Sequence, residues 1–273
     1  MTLLNALVTR LADLVMTPLA GLPPLAVLTG AAVATALVVL GVMRVTSNQA
    51  ELAAVKRQIH AGLLEMRLYN DDLRGLLRAQ RDVLWQNLRY VGYSLVPLLV
   101  TAVPLTLVIA QLQAWYGYQG LEPGVETAVT ASVEGPVAAP PRLEAAGLEV
   151  VGTPRYFPTR HEVVWRVVPR AEGETVARVT TAAGTVVEKT VHVAAGASTA
   201  RRSPSRSRAG VVDQLLYPSE APLEDGSGIV AITVPYADRT LRLASFDVHW
   251  LIAYVALSVV AVLALRRPLG VVI

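Results

Sequence analysis

Five uncharged polar side chains interrupt an apolar stretch of this chain: Ser94, Thr101, Thr106, Gln111 and Gln113. In a hydrocarbon environment such groups seek a partner helix or a wetted cavity, because nothing else there satisfies them. The chemistry they suit is non-covalent: hydrogen bonding to a hydrophilic segment of another chain held at membrane depth. Simple hydrogen-bonded glue between helices is the alternative use. Just upstream lie Arg67, Arg74, Arg78 and Arg81, a cluster that would attract an anionic client or the ribosome by charge. Other chemistry is poorly provided for. His60, His161, His192 and His249 have no ligand-like spacing, there is no cysteine, and no phosphate-cradling glycine loop or nucleophile elbow occurs. No carboxylate falls inside an apolar run, so a proton or ion relay has no candidate. The expectation is a protein that is not an enzyme and uses no cofactor or metal, with His161, Glu162 and His192 as strand surface residues.

The elements that would carry these residues follow from periodicity. Leu52, Val55, Ile59, Leu63 and Met66 recur at steps of three or four, and a second stripe resumes at Leu73, Leu76, Leu77, Val83, Leu84 and Leu88. Tyr69-Asn70-Asp71-Asp72 between them favours a turn. Residues 47–90 therefore read as an antiparallel coiled-coil hairpin. Its simplest role is to space two membrane helices.

Of the 273 residues, 53% are hydrophobic and only 16% charged, beyond the usual balance of a soluble domain. The formal charge of +3 is too small to argue for nucleic acid, and no DNA partner is expected. Residues 25–43 carry no charge and are just long enough to cross a bilayer; 91–114 and 249–265 are two further spans. Residues 1–20 set Thr2, Asn5, Thr9 and Asp13 against a leucine face, as in an amphipathic helix lying in the bilayer interface. Pro97 and Pro104 should kink the second span. Trp85, Tyr90 and Tyr93 flank its inner end and Trp115, Tyr116 and Tyr118 its outer end, while Trp250 and Tyr254 mark the outer end of the third. Basic residues concentrate in 44–89 and at Arg266-Arg267, placing the hairpin and the C-terminus in the cytoplasm and the N-terminus outside. A bacterial inner membrane is the expected location.

From residue 117 to 247 the composition shifts to Pro, Gly, Thr and Val. Alternating runs appear at Val125–Val133, Glu162–Val168, Val176–Thr181, Val186–Val193, Ile229–Tyr236 and Thr240–Leu243. Ala183-Gly184 reads as a hairpin turn, Ala237-Asp238-Arg239 separates the last two runs, and Val163, Trp165 and Val167 share a core face. An external all-β domain, an immunoglobulin-like sandwich inserted before the last span, is expected. The run Arg201-Arg202-Ser203-Pro204-Ser205-Arg206-Ser207-Arg208 reads as a solvated linker, with contact to anionic headgroups as the other use.

The order of a first span, a cytosolic hairpin, a second span and a third span ending inside resembles the YidC/Oxa/Alb insertase superfamily, in particular its minimal three-span members. The amphipathic segment 1–20 is similar to the peripheral helix of the bacterial members. The resemblance implies an α-helical membrane protein with three transmembrane helices that shelters nascent membrane proteins in a groove. No predicted span holds the intramembrane arginine of the larger bacterial members. The β-domain is an addition that implies an external partner. The alternative function is a non-catalytic envelope adaptor or scaffold whose β-domain binds that partner.

Overall fold

The computed structural model describes residues 2–46, 49–68, 73–137, 139–195, 199–208, 210, 213, 217–243 and 245–271. The turn expected at residues 69–72 lies outside the described residues. Among the described residues five helices are assigned: α1 (Thr2–Leu19), α2 (Pro24–Thr46), α3 (Gln49–Leu68), α4 (Leu73–Tyr116) and α5 (Trp250–Leu265). The chain divides into a helical unit, residues 28–108 and 254–273, and a β-rich unit, residues 1–27 and 109–253.

In the helical unit α2 and α4 are long and apolar enough to cross a membrane, while α5, at 16 residues, is shorter. The second arm of the expected hairpin and the apolar run after it form one 44-residue helix, with Pro97 and Pro104 inside it. The stripes of α3 and α4 do meet. Leu52, Val55 and Ala79 are buried, and a Cβ built on Gly62 would lie 2.4 Å from Val83 Cγ2, so the two helices touch where glycine gives room. The amine of Lys56 sits 5.5 Å over the Tyr90 ring. Both pairs are symmetric about the same point of the chain, as an antiparallel hairpin requires. Tyr254, expected among the interfacial aromatics, is instead buried, its hydroxyl 2.9 Å from Thr35 Oγ1 on α2. In hydrocarbon this pair satisfies two hydroxyls at once.

Among its described residues the β-rich unit holds ten strands: β1 (Thr127–Val133), β2 (Arg142–Ala145), β3 (Leu148–Phe157), β4 (Glu162–Pro169), β5 (Gly173–Thr180), β6 (Val186–Val193), β7 (Ser205–Ser207), β8 (Ile229–Thr233), β9 (Thr240–Leu243) and β10 (Phe246–His249). They form a five-stranded sheet ordered β3-β4-β1-β8-β7, a three-stranded sheet β2-β5-β6 and a β9-β10 ribbon, with every strand pairing antiparallel. Alternation sets the core. Val163, Trp165 and Val167 of β4 point one way, opposite Ala131, Val129 and Thr127 of β1. They join Val179, Val187 and Val191 of the smaller sheet in one hydrophobic cluster, as their shared face predicts. Gly184 closes the β5–β6 hairpin at φ +82°, where a Cβ would clash with the backbone. The last two alternating runs do not pair across Ala237-Asp238-Arg239: β8 lies between β1 and β7, and β9 pairs with β10.

The arginine–serine run is not a solvated linker. Ser205–Ser207 is an edge strand on β8, and all four arginines make protein contacts. Arg206 donates to the carbonyls of Ala221 and Glu188, and Arg208 pairs with Glu134 at 2.6 Å. Arg202 is buried, its amide donating to the Ala114 carbonyl at 2.7 Å and its guanidinium to Tyr118 O at 3.1 Å. Arg239, also buried, stacks 6.0 Å from the Tyr116 ring and donates its amide to Gly117 O. Two cations thus meet the C-terminal end of α4, where unpaired carbonyls gather negative potential. This explains why Trp115, Tyr116 and Tyr118 are buried against the β-rich unit instead of lining an exposed aromatic belt.

Candidate functional site

The polar residues singled out on α4 divide between the two units. Ser94 and Thr101 line a cleft of about 360 Å³ within the helical unit, together with Met43 of α2, Leu52 and Lys56 of α3, and Tyr90 of α4. Pro97 lies in its wall and removes the amide that would otherwise bond the Tyr93 carbonyl. Thr101 Oγ1 contacts the carbonyls of Pro97 at 2.8 Å and Leu98 at 2.9 Å, and Ser94 Oγ donates to Tyr90 O at 2.8 Å. The hydroxyls are held to their own helix in this state, yet each keeps acceptor capacity toward the cleft. Thr106 is exposed and donates to Ala102 O, outside the residues that line this cleft.

Lys56 is the residue that periodicity missed. Read as one more cation of the hairpin, it lines an otherwise largely apolar cleft and lies over an aromatic ring. The signal was present: on α3 it adjoins buried Val55 and falls four residues after Leu52, on the helix's inward side.

Gln111 and Gln113 belong to the β-rich unit and are already engaged. Gln111 is buried, its amide nitrogen 3.4 Å from Thr9 Oγ1 and its carbonyl 3.3 Å from Arg201 Nη2. Gln113 donates to the Tyr118 hydroxyl. Arg201 gathers this cluster: it pairs with Asp13 and reaches the Pro218 carbonyl at 3.3 Å. The polar face of α1, through Thr9 and Asp13, therefore faces protein. Leu7, Leu11, Leu14 and Val15 stay exposed on its outer face, which suits a helix whose surroundings are apolar.

Arg67, Arg74, Arg78 and Arg81 are exposed on the hairpin, Arg81 bonded to neighbouring Asp82 at 3.0 Å. They alternate with exposed Leu73, Leu77, Leu84 and Trp85, so the basic surface is also apolar. His192, expected on a strand surface, is half-buried, and burial pulls its imidazole below the usual histidine range. Near it, Lys189 is fully buried, bonded to Glu220 at 2.6 Å and to Ser203 O at 2.7 Å.

Comparison with protein families, curated proteins and solved structures gives no match. The functional argument rests on the residues themselves.

Proposed function

We propose that this protein is a membrane-protein insertase or chaperone of the YidC/Oxa/Alb type, with three spans formed by α2, the apolar part of α4, and α5. Its N-terminus and an immunoglobulin-like sandwich lie outside; its hairpin and C-terminus lie in the cytoplasm. The short α5 spans by drawing the bilayer thinner around it. The observation that carries the reading is the cleft among α2, α3 and α4: an apolar recess with one ammonium, Lys56, and two hydroxyls, Ser94 and Thr101. Such a recess lowers the cost of holding a hydrophilic segment next to lipid, where an unpaired polar group is expensive. The exposed Arg67, Arg74, Arg78 and Arg81 bring nascent clients or the ribosome to it by charge. No covalent step is involved.

The test is reconstitution in vesicles with a short-tailed membrane client. Lys56→Met combined with Ser94→Ala and Thr101→Val removes the polar groups with little change of shape. Insertion should fall while the protein remains folded. Insertion at the level of empty vesicles by the wild type, or unaltered insertion by the triple variant, would remove the insertase reading. The second reading, an envelope adaptor, draws on Gln111 and Gln113, which are fixed within the β-rich unit and serve its structure. It requires normal insertion of client proteins in cells that lack this chain.

A further inference from the structure

An open sheet edge is a row of backbone groups ready to pair with another chain, and natural sheets close such edges. The five- and three-stranded sheets of the β-rich unit end at β3, β7, β2 and β6. On β6 the Thr190 amide donates to the Glu220 carboxylate at 2.9 Å and the His192 amide to the Tyr236 hydroxyl at 2.9 Å. His192 O accepts from the Leu121 amide at 3.0 Å, and Glu188 O from Arg206. On β7, Ser207 O accepts from the Leu223 amide at 2.9 Å. The β3 edge is broken: its register shifts between Val151 and Arg155, across Gly152 at φ +76° and Pro154, which has no amide to give. The outer edge of β2 carries none of these devices. Among the described residues Arg142–Ala145 pairs with β5 alone. Beside it runs a groove of about 460 Å³ whose walls include Leu143, Val150, Pro154 and Trp165. Leu143 points inward, while Arg142 and Glu144 are exposed on the outer face and make no ion pair among the described residues. Arg178, across from Glu144 on β5, is taken by Glu188 of β6 at 3.0 Å.

We propose that β2 pairs antiparallel with β2 of a second copy of this chain, about a two-fold axis at Leu143. An isologous joint must be complementary to itself, and this one is. The axis sets Arg142 opposite the partner's Glu144, and Glu144 opposite the partner's Arg142. It sets the two Leu143 side chains against each other on the groove side, because directly opposed residues share a face. The partner's Arg142 also adds a fourth charge of alternating sign to the row Glu188, Arg178, Glu144. No neighbouring register does this. An axis at Arg142 opposes two arginines and an axis at Glu144 two glutamates; an axis between residues would oppose an inward side chain to an outward one. An unrelated extended segment would have to carry the same alternation of charge, which a second copy carries by construction. Four residues make a small joint, so the dimer is weak and depends on concentration.

The experiment follows the mass of the full chain in detergent by native mass spectrometry over a concentration series, and the dimer fraction should rise with concentration. Arg142→Glu opposes two pairs of carboxylates and Glu144→Arg two pairs of guanidiniums, so each should raise the dimer dissociation constant by about tenfold. Both reversals in one chain should restore the wild-type constant. An equimolar mixture of the two single variants should recover dimer as well, since only the mixed dimer has matched charges. Arg160→Glu, an exposed control in the β3–β4 turn, should change nothing. Recovery in the mixture also shows that the single variants are folded. The chain has no cysteine, so introduced thiols report the register. When Arg142→Cys and Glu144→Cys proteins are mixed and oxidised, the mixed disulfide should exceed the half expected of random pairing. A monomer at every concentration, a dimer indifferent to the single reversals, no recovery in the mixture, or a mixed disulfide at or below the random share would overturn the proposal. None of these readouts depends on client insertion.

Discussion

Gly62→Ala tests whether the α3–α4 hairpin is packed as tightly as the structure places it. The new methyl carbon would lie 2.4 Å from Val83 Cγ2, against an ordinary carbon–carbon contact of about 3.5–4.0 Å. More than an ångström must be recovered. Val83 cannot turn away cheaply, because a β-branched side chain on a helix has one strongly preferred rotamer. The helices must separate, at a cost of about 1–3 kcal/mol for overpacking. Against this, alanine has the higher helix propensity, by about 1 kcal/mol over glycine. The single variant alone is therefore ambiguous, and the coupling to Val83 decides. With Val83→Ala the clash disappears while the helix preference remains, so a double-mutant cycle should give an interaction of about 1–3 kcal/mol. Hydrogen exchange of the α3 and α4 amides in detergent reads the local opening free energies that the cycle needs. A coupling under about 0.5 kcal/mol, the level seen for independent sites, would refute the close approach.

Four further outcomes are expected. Trp165→Ala should destabilise the β-rich unit by about 3–5 kcal/mol, because the indole is only 1% exposed at the centre of the core; a melting temperature unchanged in the full chain would contradict that burial. Glu220→Gln, which strands the ammonium of Lys189, should cost about 3–5 kcal/mol, whereas the double replacement Lys189→Met with Glu220→Gln should cost much less, a contrast that denaturant unfolding resolves. Burial raises the Tyr236 phenol from 10.0 to about 12; between these values the unfolded chain has released the proton and the folded chain still holds it, so stability should fall as pH rises above 10, with a slope that Tyr236→Phe reduces. Single cysteines at Gln80 and Thr185, both exposed, should label from opposite sides of a sealed vesicle with an impermeant reagent, and labelling of both from one side would contradict the topology.

Periodicity located the helices and the strands whose alternation is regular; the longest strand, β3, was missed because its register shifts between Val151 and Arg155 and its burial does not alternate. The β6 limits at Val186 and Val193 and the inward face of Trp165 follow from simple alternation. The short strands β2, β7 and β10 did not emerge either. Four residues at Arg142–Ala145 and three at Ser205–Ser207 are too short to show a period, and a run of arginines and serines has the composition of a linker. Its burial comes from distant partners: the Ala114 carbonyl, the Tyr118 carbonyl and Asp13. The same limitation separated Gln111 and Gln113 from Ser94 and Thr101. All four are polar residues on one apolar helix, and only tertiary structure shows that two face a cleft while two are bound to neighbours.

The capping of α4 also sets an order of assembly. The carbonyls of Ala114 and Gly117 are met by the amides of Arg202 and Arg239, which leave the ribosome long after the helix itself. At roughly 5–20 residues per second the interval is on the order of ten seconds. Throughout that interval Tyr116 lacks its guanidinium, Asp13 its Arg201, and the last turn of α4 the hydrogen bonds that end it. The helix terminus is therefore provisional during biosynthesis and becomes fixed only as strands β7 to β9 are laid down. Truncation within residues 202–239 would leave the α4 end frayed, and quality-control proteases would encounter it there first.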